Sequence, residues 1–413
     1  MINGNLAFLF FAGIVFIGFI LNALFSKLKI ANIMPLMLIG VLIGPVLHVI
    51  GTGSGSLVSS LSSLITGVAV SFILFDVGLN MNYAELRKVL KNASKYTFGL
   101  TFLVGVISSL IGLFVLHFQP LIAFIFGFAI AGPSTVIVPM LTSLVGISEE
   151  LKTTLRFEAI ASDILTLLVP LVLLQIVVAG NITIGGITSI IISNLFGSAI
   201  LAVVFALFWL YILNRFEEQS KSYTWMLTIA MVLATYGGSQ QIGFNGAITV
   251  FIFGLLISNL GARSKKPVSV HTPTFLQRHF ALGDEAEHIK SYQKEIVFFV
   301  STFFFVYLGL LFSVSQVTPV MLVISFGFVA IFALVRVAFM PILKDYISKD
   351  GKLARREKSF ISFNISRGLA PTVIAAVPLT LGIVIPGFVD TIFLVVLFSN
   401  LANTIGIFWG YRH

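Results

Sequence analysis

Apolar stretches of about twenty residues, separated by short polar or glycine-rich joins, recur along the whole 413-residue chain. At ~1.5 Å per residue, ~20 apolar residues cross a hydrocarbon layer ~30 Å thick. Each run therefore predicts a membrane-spanning helix. Thirteen follow: 5–25, 31–48, 57–79, 96–117, 119–146, 151–179, 184–213, 223–239, 243–260, 293–313, 317–343, 358–383 and 386–410. The short alternating strands of a porin-like barrel are absent from the pattern. The first run has no basic lead-in and is too long for a cleavable apolar segment, so it is read as a retained span. The expected class is an all-α polytopic membrane protein with no soluble domain. Its largest hydrophilic piece, 261–292, fits either a short amphipathic surface helix or a solvated linker.

Composition sharpens this picture. The chain is 58% hydrophobic and 10% charged, with mean hydropathy +1.06. It has no cysteine, which removes disulfides, thiolate catalysis and cysteine–metal sites. A net charge of +9 would suggest nucleic acid in a soluble protein, but here its distribution explains it. Of 25 lysines and arginines, only Arg336 and Arg367 lie deep within spans, and the other 23 collect at one face. By the positive-inside rule that face is cytoplasmic, so no nucleic-acid partner is expected. The N-terminus is then outside and the C-terminus inside a cell membrane, which requires an odd number of spans.

Three pairs of segments resemble one another in the same order. IGVLIG (39–44) matches FGLLIS (253–258), and FILFDVGLNM (72–81) matches FFFVYLGLLF (303–312). GPSTVIVPMLTSLVGI (132–147) matches LAPTVIAAVPLTLGI (369–383). Each pairs a span with the seventh one after it. An odd offset reverses direction through the membrane, so two inverted repeats are expected, spans 1–6 and 8–13, with span 7 as linker. Secondary transporters built this way bind substrate near the midplane, where broken helices meet.

Two breaks occupy the fifth position of each repeat. In span 5, Gly132 and Pro133 interrupt the helical ladder, and Ser134 and Thr135 offer hydroxyls beside the freed backbone. In span 12, Gly368 and Pro371 do the same, with Arg367 at the break. Span 6 carries two acids, Glu158 and Asp163, although an acid at mid-bilayer costs about 2.5–3.5 kcal/mol on insertion scales. From the cytoplasmic ends, Thr135 and Asp163 lie ~17 Å deep and Arg367 ~14 Å, close to the midplane at ~15 Å. Glu158 and Arg336 (span 11) share a shallower level of ~10 Å. Five helical residues turn through about 500°, so the two acids point ~140° apart. They are expected to do different jobs. Glu158 pairs with Arg336. Asp163 faces the breaks, where it can hold a proton or a small hard cation but not both, with Ser162, Ser134 and Thr135 as further oxygens. Asp76 is expected to bind backbone locally and Asp390 to be solvated near the outer face. His48 and His117 fall at span ends.

FEAIASD in span 6 resembles the Glu…Asn-Asp motif of monovalent cation/proton antiporters, especially the NhaP-like sodium/proton branch. NISRGLAP resembles that family's Gly-Pro-Arg-Gly signature in span 12, and Arg336 in LVRVAF matches its span-11 arginine, which pairs with the span-6 glutamate. The resemblance covers nearly the whole chain. It implies discontinuous crossing helices 5 and 12, a homodimer and an elevator-like cycle. In that cycle a core domain (spans 3–6 and 10–13) moves against a dimerisation domain (spans 1–2 and 7–9). It also implies Asp163 as the Na⁺- and proton-binding carboxylate, with Glu158 beside it. Two positions depart from the family. Its usual Thr-Asp-Pro in span 5 is here Gly132-Pro133-Ser134, which removes the acid that offsets positive half-helix ends. Its asparagine before the aspartate is here Ser162.

The function expected is therefore secondary active antiport of a monovalent cation, Na⁺ first, against H⁺, with no cofactor and no enzymatic step. One carboxylate trading one proton for one cation moves no net charge, so exchange should be electroneutral. K⁺/H⁺ antiport, with K⁺ or Li⁺ as the ion, is the alternative. A sodium-coupled organic-anion symporter using Arg367 is a more distant one. Membrane lipid is the only other partner expected.

Overall fold

The computed structural model describes residues 4–28, 33–48, 62–81, 94–135, 137–142, 146–180, 184–215, 217–262, 285–347 and 353–412. Helices joined by short turns and gaps make up these residues, with no strand among them. In chain order the helices are α1 (Gly4–Leu28), α2 (Ile33–Val41, continued by a π-turn at Leu42–Val46), α3 (Ser62–Asn80) and α4 (Ser94–Phe114). Next come α5 (Pro120–Ala129), α6 (Ile137–Thr142), α7 (Glu149–Ala179), α8 (Ile184–Arg215) and α9 (Glu217–Ile242). The remainder are α10 (Gly246–Ala262), α11 (Glu285–Leu311), α12 (Pro319–Ile347), α13 (Arg355–Phe363), α14 (Leu369–Thr380) and α15 (Phe388–Arg412). Helix therefore occupies every segment predicted to be a span.

Seven of the described helices are long and apolar enough to cross a membrane, and five shorter apolar helices accompany them. α9, over the eighth predicted span, is not among them, because Thr224, Thr228, Thr235, Tyr236, Gly237, Gly238 and Ser239 dilute its apolar run. Spans 5 and 12 are each two helices: α5 and α6 flank one gap, α13 and α14 the other. α11 begins at Glu285, eight residues before the predicted start of span 10. The predicted surface helix or linker falls largely on 263–284, outside the described residues. His48 and His117 close helical ends with φ of 53° and 57°, each with its ring Nδ1 within 3.3 Å of the carbonyl two residues back.

The chain forms two compact units, one of 1–63, 87–170 and 302–413, the other of 64–86 and 171–301. The second is built on an aromatic core. Phe75 stacks on Phe253 at 5.5 Å, and the buried Trp209 meets Phe253 edge-on at 6.4 Å. The first holds its own ring cluster, with Phe126 5.5 Å from both Phe118 and Phe328.

Both units contain crossings in which backbones touch through glycine. In the first, Gly40 of α2 meets Gly309 of α11. A Cβ at Gly40 would lie 2.8 Å from Gly309 Cα and run into the Val306 carbonyl, and one at Gly309 would run into the Met37 carbonyl. In the second, Gly78 of α3 meets Gly254 of α10. A Cβ at Gly78 would lie 2.9 Å from Leu255 N, and one at Gly254 would run into the Phe75 carbonyl. The sequence matches pair Gly40 with Gly254 and Gly78 with Gly309. The two crossings thus join corresponding positions, in swapped order. Small residues at such contacts let helices approach in a medium that supplies no hydrophobic drive between them.

Gly309→Ala should destabilise the folded protein by about 1–3 kcal/mol through overpacking. Gly327→Ala, on α12 with nothing within 4 Å of its Cβ, should be neutral or slightly stabilising. Thermal unfolding in detergent measures both. Equal melting temperatures for the two variants would remove the close crossing as a source of stability.

Candidate functional site

α7 supplies the acids. Its N-terminus follows Ser148 and opens with Glu149 and Glu150, which suit the positive end of the helix. Further along come Glu158, Ser162, Asp163 and Thr166, all buried, with Asp163 the most exposed at 5%. Glu158 meets Arg336 of α12, which is 1% exposed. Arg336 Nη2 donates to Glu158 Oε1, and Nη1 lies 3.4 Å from Oε2. This two-point contact engages both carboxylate oxygens.

Asp163 points elsewhere. Its Oδ2 accepts a hydrogen bond of 2.6 Å from Thr135 Oγ1, in the gap between α5 and α6. Among the described residues it has no ion-pair partner. The gap itself presses against α7: a Cβ at Gly132 would lie 2.8 Å from Ser162 Oγ and 2.9 Å from Thr166 Cγ2. Glycine is what allows this approach. Ser162 Oγ donates back to Ala159 O at 2.9 Å, and Thr166 Oγ1 donates to Asp163 O at 3.2 Å. Both hydroxyl protons are thus spent on α7's own backbone, and the oxygens keep lone pairs.

The two gaps meet directly. Ser134 N donates to Ser366 O at 3.0 Å, one freed backbone group answering another. Ser134 also starts α6: its Oγ is 3.3 Å from Ile137 N, and its carbonyl accepts from Val138 N at 3.1 Å. Gly368 is required beside it, because a Cβ there would lie 2.7 Å from Ser134 Cβ. Pro371 falls within the first turn of α14, where a missing N–H is tolerated. Arg367 is held at both ends of its peptide unit. Its N–H reaches Ser399 Oγ at 3.3 Å, and its carbonyl accepts from Asn400 Nδ2 at 2.8 Å. Its guanidinium lies over the Phe332 ring, 3.9 Å from the centroid, a cation–π contact with no carboxylate in ion-pair range among the described residues.

The structure therefore gathers Asp163, Thr135, Ser162 and Gly132 at one point, Ser134 and Gly368 at the crossing, and Glu158 with Arg336. Sequence reading passed over Phe332, Ser399, Asn400 and Thr166. Ser399, Asn400 and Thr166 are polar residues at buried positions of apolar helices and Phe332 is one aromatic among many, so none stands out until its neighbours are known. One expectation is corrected. Asp390 is not solvated: it is 6% exposed, and its Oδ1 accepts from Ser313 N at 2.8 Å, closing the turn after α11. Asp76 takes a side-chain partner, Asn80 Nδ2, at 2.9 Å.

The family described as sodium/hydrogen exchanger, transmembrane, matches residues 12–411. The chain belongs to the sodium/hydrogen exchanger family. It is accordingly a multi-pass membrane transporter of the cation/proton antiporter kind, not an enzyme. The fold is shared with the sodium proton antiporter MjNhaP1 from Methanocaldococcus jannaschii. Against its structure at pH 8 the TM-score is 0.70 at 20% identity, covering 98% of this chain and 97% of that one. Against an electron-microscopy structure of the same antiporter the TM-score is 0.66 at 19% identity, covering 97% and 94%. In this exchanger a further link ties α7 to α13. Glu357 Oε1 accepts from Ser148 Oγ at 2.7 Å and Ser148 N at 3.1 Å, and Oε2 accepts from Ala354 N at 3.0 Å. Partial burial pushes the Glu357 carboxyl up, but these hydrogen bonds together outweigh it and hold the group below the usual glutamate value.

Two outcomes follow. Glu158→Gln or Arg336→Met alone should cost about 3–5 kcal/mol, because each strands a buried charge, whereas Glu158→Leu with Arg336→Met should recover most of it. A double-mutant cycle on unfolding free energies tests this, and additive losses would count against the pair. Glu357, depressed in the folded state, contributes stability above the unfolded glutamate pKa of ~4.3, and loses it as pH falls through its lower folded value. The melting temperature of the wild type should therefore drop between about pH 5 and pH 3 more steeply than that of Glu357→Gln. Parallel curves would show that the link carries no pH-dependent stability.

Proposed function

We propose that this exchanger trades one monovalent cation, Na⁺ in the first place, for one proton at Asp163. The observation that carries the reading is a buried carboxylate at the helix gaps whose one polar side-chain partner among the described residues is the Thr135 hydroxyl. A buried acid without a cationic partner must be neutralised, by a proton or by a metal cation. Hard oxygen donors suit Na⁺ or K⁺, and the Thr135, Ser162 and Ser134 oxygens lie on the segments that surround Asp163. Glu158 is engaged by Arg336 and so acts as a structural neighbour of the site, not as a second titrating acid. Arg367, at the span-12 break, compensates the negative, C-terminal half-helix ends there.

Exchange at a single carboxylate is electroneutral, one for one. The transport cycle is elevator-like. The core of spans 3–6 and 10–13 carries the site, and spans 1–2 and 7–9 form the dimerisation domain of a homodimer. Thirteen spans in two inverted repeats place the N-terminus outside the cell membrane and the C-terminus in the cytoplasm. The matched glycine crossings, Gly40–Gly309 and Gly254–Gly78, support the repeat.

Proteoliposomes loaded with a pH-sensitive dye test the reaction. Addition of Na⁺ should dequench the dye for the wild type, and Asp163→Asn should abolish the response while keeping the wild-type melting profile. Exchange retained by Asp163→Asn would sink the assignment. A response to K⁺ exceeding that to Na⁺ and Li⁺ would make K⁺ the substrate ion. An imposed membrane potential should leave the rate unchanged, and a current that reverses with potential would refute the one-for-one stoichiometry.

A further inference from the structure

Polar atoms crowd the gap in span 12 without protein partners. Asn364 Oδ1 and Nδ2, Ser366 Oγ, Arg367 Nε and Nη1, Asn400 Oδ1 and Asn403 Oδ1 are all buried and have no hydrogen-bond partner among the described residues. None of the five residues is more than 3% exposed. Folded interiors leave few such groups unpaired, because each forfeits its hydration without return.

These atoms share one place. Asn364, Ser366 and Arg367 lie within four consecutive residues between α13 and α14. Two contacts set α15 against them: Phe363 packs on Gly406, where a Cβ would lie 2.8 Å from Phe363 Cβ, and Asn400 Nδ2 donates to Arg367 O. The two segments therefore run antiparallel, and Asn364 and Asn403 both fall between those two contacts. Asn400 and Asn403, three apart on α15, present one face to the gap.

The chemistry selects the occupant. Arg367 repels a metal cation. An anion could use the guanidinium, but Asn400 has its amide nitrogen committed to the Arg367 and Val396 carbonyls, so only its acceptor remains free. Both donors (Asn364 Nδ2, Arg367 Nε and Nη1) and acceptors (Asn364, Asn400 and Asn403 Oδ1) are left over, and water is the small ligand that serves both. We propose that the span-12 gap is a hydration pocket, in which buried waters bridge Arg367, Asn364, Asn400 and Asn403. At about three bonds per buried water, roughly two or three molecules suffice. They solvate a guanidinium that has no carboxylate of its own, and so let a charged arginine stay in the core while Asp163 remains uncommitted.

Radiolytic hydroxyl labelling of the intact protein in detergent reads bound water through the side chains beside it. Phe332, 1% exposed, lies against Arg367. Phe126, 0% exposed, sits among aromatic rings and is the dry control. Phe332 should be labelled severalfold faster than Phe126 in the wild type, which decides the question without any variant. Equal rates would overturn the pocket. Asn403→Leu, with Phe126 labelling unchanged as the check on folding, should bring Phe332 towards the control, and an unaltered Phe332 rate would overturn the assignment of Asn403. Replacing chloride with gluconate should leave the rates as they are. Labelling that rises only when chloride is removed would mean that an anion holds the site in place of water. None of these readouts depends on transport, so they stand apart from the fate of the antiport reading.

Discussion

The interior of a bilayer offers no water to a broken backbone, and this constraint organises the molecule. A helix may stop at mid-depth only if something else satisfies the groups it frees. Here the two interrupted helices answer one another. The Ser134 amide donates to the Ser366 carbonyl, joining the gaps in spans 5 and 12 at their crossing. Gly368 exists to let Ser134 in, and Gly132 to let the span-5 gap press on Ser162 and Thr166. From that crossing the remaining geometry follows. Thr135 is aimed at Asp163 because Ser134 is pinned. Arg367 is fixed by Ser399 and Asn400 because its own helix has ended.

The acids of α7 illustrate how one helix can hold two costly groups. Five residues separate them, and they reach different neighbours. Glu158 lies against Arg336, both its oxygens taken up, and Asp163 meets a lone hydroxyl. The ion pair is a poor source of net stability, since desolvation consumes much of its attraction, yet neither partner can be left alone. It fixes α7 to α12 within the first unit, so the face that carries Asp163 is held in one rotation.

Period and punctuation made much of this legible in the sequence. Runs of apolar residues marked every helical segment, and Gly132-Pro133 and Gly368 with Pro371 marked the gaps. Equal depth was enough to set Glu158 against Arg336. What stayed hidden depends on register between helices distant in the chain. Asp390 reads as a solvated end residue until Ser313 is seen to donate to it. The Ser148–Glu357 link joins residues 209 apart, and nothing local distinguishes Glu357 from other interfacial acids. Asn400 and Asn403 carry no motif of their own in the sequence, and their meaning appears only when α15 lies along the gap. The early start of α11 at Glu285 was missed because its polar first turns lack the apolar signal that defined a span.

Charge counting explains why such a site can exchange ions without leaking them. Around the gaps stand two arginines, Arg336 and Arg367, and two acids, Glu158 and Asp163. With Asp163 ionised the four sum to zero. With a proton or a monovalent cation on Asp163 they sum to plus one, and the value is the same for either load. Under the proposed exchange the two loaded forms are electrostatically equivalent, so the same core can carry each. The unloaded form differs. Its ionised carboxylate would have only the Thr135 hydrogen bond, worth about 1.5–3 kcal/mol to a charged group, against a desolvation cost of several kcal/mol. Arg336 cannot help, because Glu158 already occupies it, and Arg367 is turned onto Phe332. On the proposed reading, the same uncommitted state that lets Asp163 accept either ion makes it expensive to occlude with neither, which would make exchange obligatory.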